Sequence, residues 1–382
     1  MEQPRPRIRF DSNEISGAFG DIGTDFPLVV GVILAAGLDP ASVLIMFGAM
    51  QVLTGLLYGI PMPAQPLKAM AVIVITQKVS GNVLYGGGLA IGIVMLVLAV
   101  TGLVDWVARA IPKSVVRGMQ FGLGLQLATL ALTDYVRAEG AGGYVLAAAA
   151  FLVVILLLGN RRFPPAPFVI ALGIAYALVF RLDVGALWQG VGFGLPRVST
   201  PAARDLWTGF LVLGLPQIPL SLGNSILATR QIVEDLFPER PVSVRKISLS
   251  YALMNLINPF MSGIPTCHGS GGMAGHYAFG ARTGGSVILY GGLYLLLGVF
   301  LSAGFAQVIL LFPKPVLGVI LFWEGLALIR LIRDMVHAKA DFTIVGLVGL
   351  MAAGLPYGYL VAMIVGTWLA YGMGKRLGEG TG

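Results

Sequence analysis

Lys68 and the run Gly269-Ser270-Gly271-Gly272 carry the chemistry of this chain, because each follows a break in an apolar stretch that would otherwise exclude charge. The first break reads Gly59-Ile60-Pro61-Met62-Pro63-Ala64-Gln65-Pro66-Leu67-Lys68. The second, Gly263-Ile264-Pro265-Thr266-Cys267-His268-Gly269-Ser270, stands 204 positions later. A helix that starts after such a break presents unpaired N–H groups and roughly +0.5 elementary charge at its N-terminus. Two half-helices starting near Pro66 and Gly269 would aim both ends at one midplane point, and a protonated Lys68 brings the local charge to about +2. That charge suits a tetrahedral dianion, which would otherwise face a prohibitive desolvation cost in hydrocarbon. Gly269, Gly271 and Gly272 permit close backbone approach, while Gln65, His268 and Ser270 add side-chain donors. Two ordinary roles compete: glycines pack membrane helices closely, and Lys68 could snorkel, since its segment ends at Lys78 near a surface.

A second polar set lies on one helix. Gln217, Ser221, Asn224 and Ser225 follow i, i+4, i+7, i+8 spacing, a single stripe on an apolar segment interrupted by Pro216 and Pro219. Such a stripe faces a cavity or bonds a neighbouring helix. At the same shift of 204, Gly20-Asp21-Ile22-Gly23-Thr24-Asp25 occupies the equivalent place, with Asp21 opposite Ser225. Asp21, Asp25 and Glu324 are carboxylates inside apolar spans, and each is a candidate for proton coupling or for structural pairing with Lys68 or an arginine. Cys267, His268 and His276 do not make a compact tetrahedral ligand set, so neither a metal nor another cofactor is expected.

The elements that must position these groups follow from composition. Of 382 residues, 57% are hydrophobic and 11% charged, against about 45–50% and 25% in a soluble domain. The reading is an all-α polytopic membrane protein without room for a sizeable water-facing catalytic domain, so an enzyme is not expected. Apolar runs give fourteen candidate segments, at roughly 13–36, 40–59, 66–79, 84–109, 113–133, 143–158, 165–180, 205–230, 245–262, 269–280, 285–312, 315–333, 341–354 and 356–374. The third and tenth are too short to span and read as half-helices that begin after a short extended stretch. Met1 to Asn13 has no secretory pattern and is expected to stay in the mature chain. One cysteine excludes an intrachain disulfide.

With the N-terminus inside, most of the 25 Lys and Arg residues collect on the cytoplasmic face, among them Arg5, Arg7, Arg9, Arg109, Arg161, Arg162, Arg245, Lys246 and Arg376. This explains the net charge of +7 without nucleic acid and puts both termini in the cytoplasm of a multi-pass protein of the cell membrane. A second landmark, Ile111-Pro112-Lys113 with Phe121 and Gly124, matches Phe312-Pro313-Lys314 with Phe322 and Gly325 at a shift of 201. Seven segments per half is an odd number, so the halves enter from opposite sides and form an inverted repeat. Chance similarity between Gly/Pro-rich apolar strings is the alternative.

Four motifs together resemble the molybdate transporter family, a branch of the sulfate permease (SulP-type) superfamily. They are Gly20-Asp21-Ile22-Gly23-Thr24; Pro61-Met62-Pro63-Ala64-Gln65-Pro66-Leu67-Lys68; Leu222-Gly223-Asn224-Ser225; and Cys267-His268-Gly269-Ser270-Gly271-Gly272-Met273-Ala274-Gly275-His276-Tyr277 with Phe279-Gly280 and Arg282-Thr283-Gly284. The resemblance spans nearly the whole chain. It implies a seven-plus-seven inverted repeat with a core domain (13–109 and 205–312) and a gate domain (110–180 and 313–374). Cytoplasmic tails (1–12, 375–382) and an extracytoplasmic loop (181–204) complete the expected division. It also implies that an oxyanion sits between the third and tenth segments against the first and eighth, which adds Thr24 to Gln65, Lys68, Ser221, Asn224, Ser225, His268, Gly269, Ser270 and Gly271 as substrate-binding residues. The superfamily often carries a regulatory STAS domain after the last span, and none is expected here. The family pattern usually has an aromatic or neutral residue where this chain has Asp25.

The resulting expectation is secondary transport of molybdate, with sulfate a close competitor, by proton-coupled alternating access. The partners are the oxyanion, protons, the lipid bilayer and, as an open alternative, a second copy in a homodimer. Competing readings are a nucleobase or bicarbonate carrier of the same fold and an uncoupled anion channel.

Overall fold

The chain breaks its helices where the sequence supplies caps, prolines and glycines, and these breaks set the architecture. A computed structural model describes residues 8–104, 106, 110–158, 165–181, 185, 188, 191–305 and 313–378. The ends of the fourth and eleventh predicted segments, parts of the loop 181–204 and of both tails, and Arg5, Arg7, Arg109, Arg161 and Arg162 lie outside the described residues.

In the first half the helices are α1 (Ser12–Ala18), α2 (Ile22–Ala36), α3 (Pro40–Tyr58), α4 (Lys68–Gln77), α5 (Gly81–Thr101), α6 (Lys113–Leu130), α7 (Gly140–Leu157) and α8 (Pro165–Phe180). The second half has α9 (Ala203–Leu236), α10 (Val244–Ile257), α11 (Ser270–Ala278), α12 (Gly285–Phe300), α13 (Lys314–Arg330), α14 (Lys339–Gly354) and α15 (Gly358–Gly378). Among the described residues, six helices are long and apolar enough to cross a membrane, and seven when α1 and α2, bent by 42°, count as one span. Each predicted segment overlaps one of the fifteen helices given above or, for the first, the bent pair.

Local chemistry explains the ends. Asp39 stops the chain from extending, since its Oδ2 accepts from the Ser42 N–H at 2.9 Å, and Pro40 occupies the first helical position where no N–H is needed. Gly59 closes α3 at a φ of 65°, a left-handed conformation that a side chain would strain. In α9, Pro216 and Pro219 lack the N–H groups that would complete the α ladder, and flanking stretches Phe210–Gly214 and Ser221–Leu227 widen into π turns. This helix runs past the predicted 230 to Leu236 because its last turns are amphipathic, with Arg230 donating to Glu234 one turn on. The predicted first span is broken instead at Phe19–Asp21. There the Gly20 backbone packs against Gly275 of α11, and a Cβ at either glycine would overlap the other's backbone.

Two extended stretches precede α4 and α11, as expected. They are β1 (Ala64–Pro66) and β2 (Thr266–His268), and they pair antiparallel with Ala64 opposite His268. The ribbon has only two strands, so its outer edges need partners. A carboxamide supplies them on each side. Gln51 on α3 donates to the Ala64 carbonyl at 2.6 Å and accepts from the Ala64 N–H at 2.9 Å. Asn255 on α10, 204 positions later, donates to the Thr266 carbonyl at 2.6 Å and accepts from the Thr266 N–H at 3.0 Å. All four residues are buried, so these bonds satisfy backbone polarity that water cannot reach.

Helix crossings are close where glycines meet. Gly48 and Gly55 of α3 lie against Gly291 and Gly284 at α12, and Gly124 of α6 lies against Gly325 of α13, each too near its partner's carbonyl for a Cβ. The short helix α4 is enclosed along most of its length: Ala69 through Ile75 are all buried. An irregular entry into a half-length helix is tolerable at this depth because protein, not lipid, surrounds it.

Candidate functional site

The N-termini of α4 and α11, the break between α1 and α2, the π turn of α9 and the middle of α13 converge on one cavity of about 730 Å³. Its wall includes Asp21, Thr24, Gln65, Lys68, Asn224, Ser225, His268, Gly269, Ser270, Gly271 and Glu324. These are eleven of the thirteen site residues named from sequence. Ser221 and Asp25 are the two that do not reach it.

The two helix ends differ. At α4 the Ala69 and Met70 N–H groups both donate to Gln217 Oε1, at 3.0 and 3.3 Å. Those donors are already taken. Gln217 in turn donates to Ser221 Oγ at 3.1 Å, and Ser221 contacts the Tyr251 hydroxyl at 2.7 Å. Gln217 of the polar stripe on α9 is therefore a side-chain cap for α4, with Ser221 and Tyr251 holding it in place. At α11 the first-turn N–H groups of Ser270, Gly271 and Gly272 have no acceptor among the described residues, and all three residues line the cavity. A Cβ at Gly271 would meet nothing within 4 Å. The free end of α11 thus faces open space with its positive pole exposed.

Gln65 joins the two half-helices. Its Nε2 donates to Asp21 Oδ2 at 2.6 Å, and its carboxamide lies so close to Gly269 that a Cβ there would overlap it. Gly272 is held to the same tolerance by Asp21 Oδ2 and Gln65 Nε2. Here glycine is required by contact with a polar side chain rather than by backbone angle. Lys68, at the first turn of α4, pairs with Glu324 of α13, and Thr24 Oγ1 donates to the other Glu324 oxygen at 3.4 Å. The pairing with a membrane carboxylate that competed with ligand contact in the sequence is present. Lys68 nevertheless keeps 30% of its side chain exposed and Glu324 15%, so the pair opens onto the cavity.

His268 serves the ribbon. It is fully buried, with Nδ1 3.3 Å from the Pro63 carbonyl and Nε2 2.7 Å from Ser250 Oγ. A carbonyl only accepts, so Nδ1 carries the proton and Nε2 accepts from Ser250. Tyr58 stacks edge-on against the ring and bonds the same serine at 2.5 Å. Asp25 is enclosed one turn beyond Asp21, and neither of its oxygens finds a donor among the described residues.

Sequence reasoning did not name the group that closes the wall beside α6. Asn224 Oδ1 accepts from Gln120 Nε2 at 2.9 Å, and Gln120 Oε1 accepts from Arg117 Nη1 at 2.9 Å. Arg117 is clamped by Asp334, to which Nη2 donates at 2.7 Å. This relay ties α6 and the end of α13 to α9. Its signal was available: Gln120 is a wholly buried carboxamide within an apolar segment.

Known proteins resemble this chain in sequence and fold. The family model described as "Molybdate transporter of MFS superfamily" matches residues 13–127 and 209–328, which hold every cavity residue named above as a sequence candidate. Molybdate transporter 1 of Arabidopsis thaliana is 33% identical over 377 residues, covering 86% of this chain and 81% of that protein. Molybdate transporter 2 of the same plant is 33% identical over 389 residues, covering 88% and 82%. Among solved structures, the transmembrane domain of a cyanobacterium bicarbonate transporter, BicA, matches with a TM-score of 0.67 at 15% identity over 94% of this chain and 98% of that one. The murine Solute Carrier 26 family member A9 anion transporter in the inward-facing state matches with a TM-score of 0.68 at 12% identity, covering 96% and 69%. At such identities these two establish a shared fold alone. The family model and the plant relatives establish more: this chain belongs to the molybdate transporter family.

Proposed function

We propose that the chain is a secondary transporter that binds a tetrahedral oxyanion, molybdate first and sulfate as a close competitor, and moves it by proton-coupled alternating access. One observation carries the reading. The uncapped N-terminus of α11 and the ammonium of Lys68 face a single cavity inside a membrane protein, so positive potential is concentrated where only a desolvated anion would use it. A nucleobase would need a carboxylate free to face its ring, and here Asp21 is engaged by Gln65 and Glu324 by Lys68.

In this proposal the chain crosses the membrane fourteen times as a seven-plus-seven inverted repeat, with both termini cytoplasmic. Residues 13–109 and 205–312 form the core and carry the site, while 110–180 and 313–374 form the gate. The pairing of Ala64 with His268 and the matching roles of Gln51 and Asn255 support an inverted repeat, because each pair is separated by the same 204 positions. The cavity lining extends to the exposed Lys113 and Leu331, on the side assigned to the cytoplasm, so the molecule is read as inward-facing. Asp21, Asp25 and Glu324 are the carboxyl groups assigned to proton coupling.

Uptake of labelled molybdate into proteoliposomes, with and without an inward proton gradient, tests the reading. Saturable uptake that the gradient accelerates is expected, with competition by sulfate and none by uracil or bicarbonate. Absence of uptake under both conditions would reject it.

A further inference from the structure

Glu324 sits where a ligand belongs. Its carboxylate reaches Lys68 and Thr24, which come from α4 and α2, whereas Glu324 itself belongs to α13, a helix that packs chiefly on α6 and α7. Both members of the ion pair line the cavity and are open to it. A carboxylate presents two anionic oxygens much as one edge of a tetrahedral oxyanion does, and here one oxygen takes the ammonium and the other the threonine hydroxyl. One ammonium cannot give its charge to both Glu324 and an arriving dianion. Leaving both anions side by side would place like charges together in a poorly solvated space.

Resting on the reading of this cavity as an oxyanion site, we propose that Glu324 is a resident anion: in the empty protein its carboxylate holds the position at Lys68 that the oxyanion takes, and loading the site drives Glu324 off Lys68 with uptake of one proton. The remaining charged groups fit that role. Asp21, at the N-cap of α2, and Asp25, in its first turn, are the other carboxyls beside the pair, and Asp21 keeps its donation from Gln65. On α6, Lys113 and Arg117 line the cavity but are held by Asp334. On the π turn that extends α6 and carries Asp134, Tyr135 meets α13 at Gly318, more than a turn from Glu324. From α7 and α8 the neighbouring wall is Val154, Pro165 and Val169, which offer no charge. Displaced from Lys68, Glu324 thus has no free cation waiting among these neighbours, and the proton replaces it. Because the latch joins α13 to α2 and α4, filling the site also frees the carrier helices from the gate. Proton uptake and release of the gate become one event.

Isothermal titration of purified protein with molybdate, run in buffers of different ionisation enthalpy, tests this directly. For the wild type, about one proton should be taken up per molybdate, and affinity should strengthen as pH falls, by up to about tenfold per unit. A site that its own carboxylate leaves free one-tenth of the time binds about tenfold more weakly than an open one, so Glu324→Gln should bind molybdate about tenfold more tightly, with no proton uptake and a flat pH profile. Glu324→Ala should do the same, and thermal melts of both variants establish that they are folded. Wild-type binding with no proton uptake, or with variants that bind no more tightly, would overturn the role of Glu324 alone. A wild type that binds neither molybdate, tungstate nor sulfate would overturn the oxyanion reading, and this proposal with it.

Discussion

Gln65 and Gly269 touch so closely that the carboxamide of one fills the space where a side chain of the other would begin. That contact fixes Gln65 for its 2.6 Å donation to Asp21 and sets β1 against the start of α11. Gly269→Ala should therefore push Gln65 aside and weaken molybdate binding by about tenfold or more, the worth of one charge-assisted hydrogen bond. Gly271, two residues on, has open space where a methyl group would go, with nothing within 4 Å, so Gly271→Ala should fold with an unchanged melting midpoint. A larger Gly271→Leu should fill the cavity and abolish binding. Equilibrium titration of the three variants checks the order; equal affinity in all would contradict the site.

The carboxamides of Gln51 and Asn255 replace missing strands at the two edges of the ribbon. Removing either leaves a buried N–H and C=O without partners. Asn255→Ala should cost about 2–4 kcal/mol of stability on that basis. A fluorescence-detected thermal melt of detergent-solubilised protein should fall by several degrees. Because β2 leads into α11, molybdate affinity should fall with it, whereas a variant at the exposed Arg230–Glu234 pair should change neither.

Glu14 offers a test of folding that leaves the site alone. Its carboxylate is buried and accepts from the backbone N–H groups of Arg282 and Thr283 at 2.9 Å and Ser286 at 3.0 Å, which anchors α1 to the N-terminus of α12. Glu14→Ala should lower stability by about 3 kcal/mol. Residual folded protein should bind molybdate with wild-type affinity. A melting midpoint equal to wild type would show that the anchor contributes nothing.

The breaks, the half-helices and the meeting of Lys68, Gln65 and the Gly269 run were legible because Pro, Gly and Lys have few tolerable places in an apolar chain. The pairing of Ala64 with His268 was not, since hydrogen-bond partners so far apart leave no local periodicity. The stripe on α9 was read as one surface, yet Gln217 caps α4 with Ser221 bonded behind it, and Ser221 alone of the four does not line the cavity. Spacing finds a face; it does not say what covers it. His268 was counted as a donor to substrate, but a ring buried between Ser250 and Pro63 has both nitrogens spent. Glu14 gave a signal that went unused, a carboxylate at the edge of an apolar segment whose partners are backbone groups beyond position 280.

Lys68 is the only formal positive charge that the cavity draws from a half-helix among the described residues, and the account depends on it. Titration of molybdate against wild type and Lys68→Gln, at matched pH and with thermal melts to establish folding, tests that dependence most directly. The expected result is saturable wild-type binding that weakens by about tenfold or more in the variant. Equal affinity in the two proteins would contradict an oxyanion site built on Lys68 and the free end of α11.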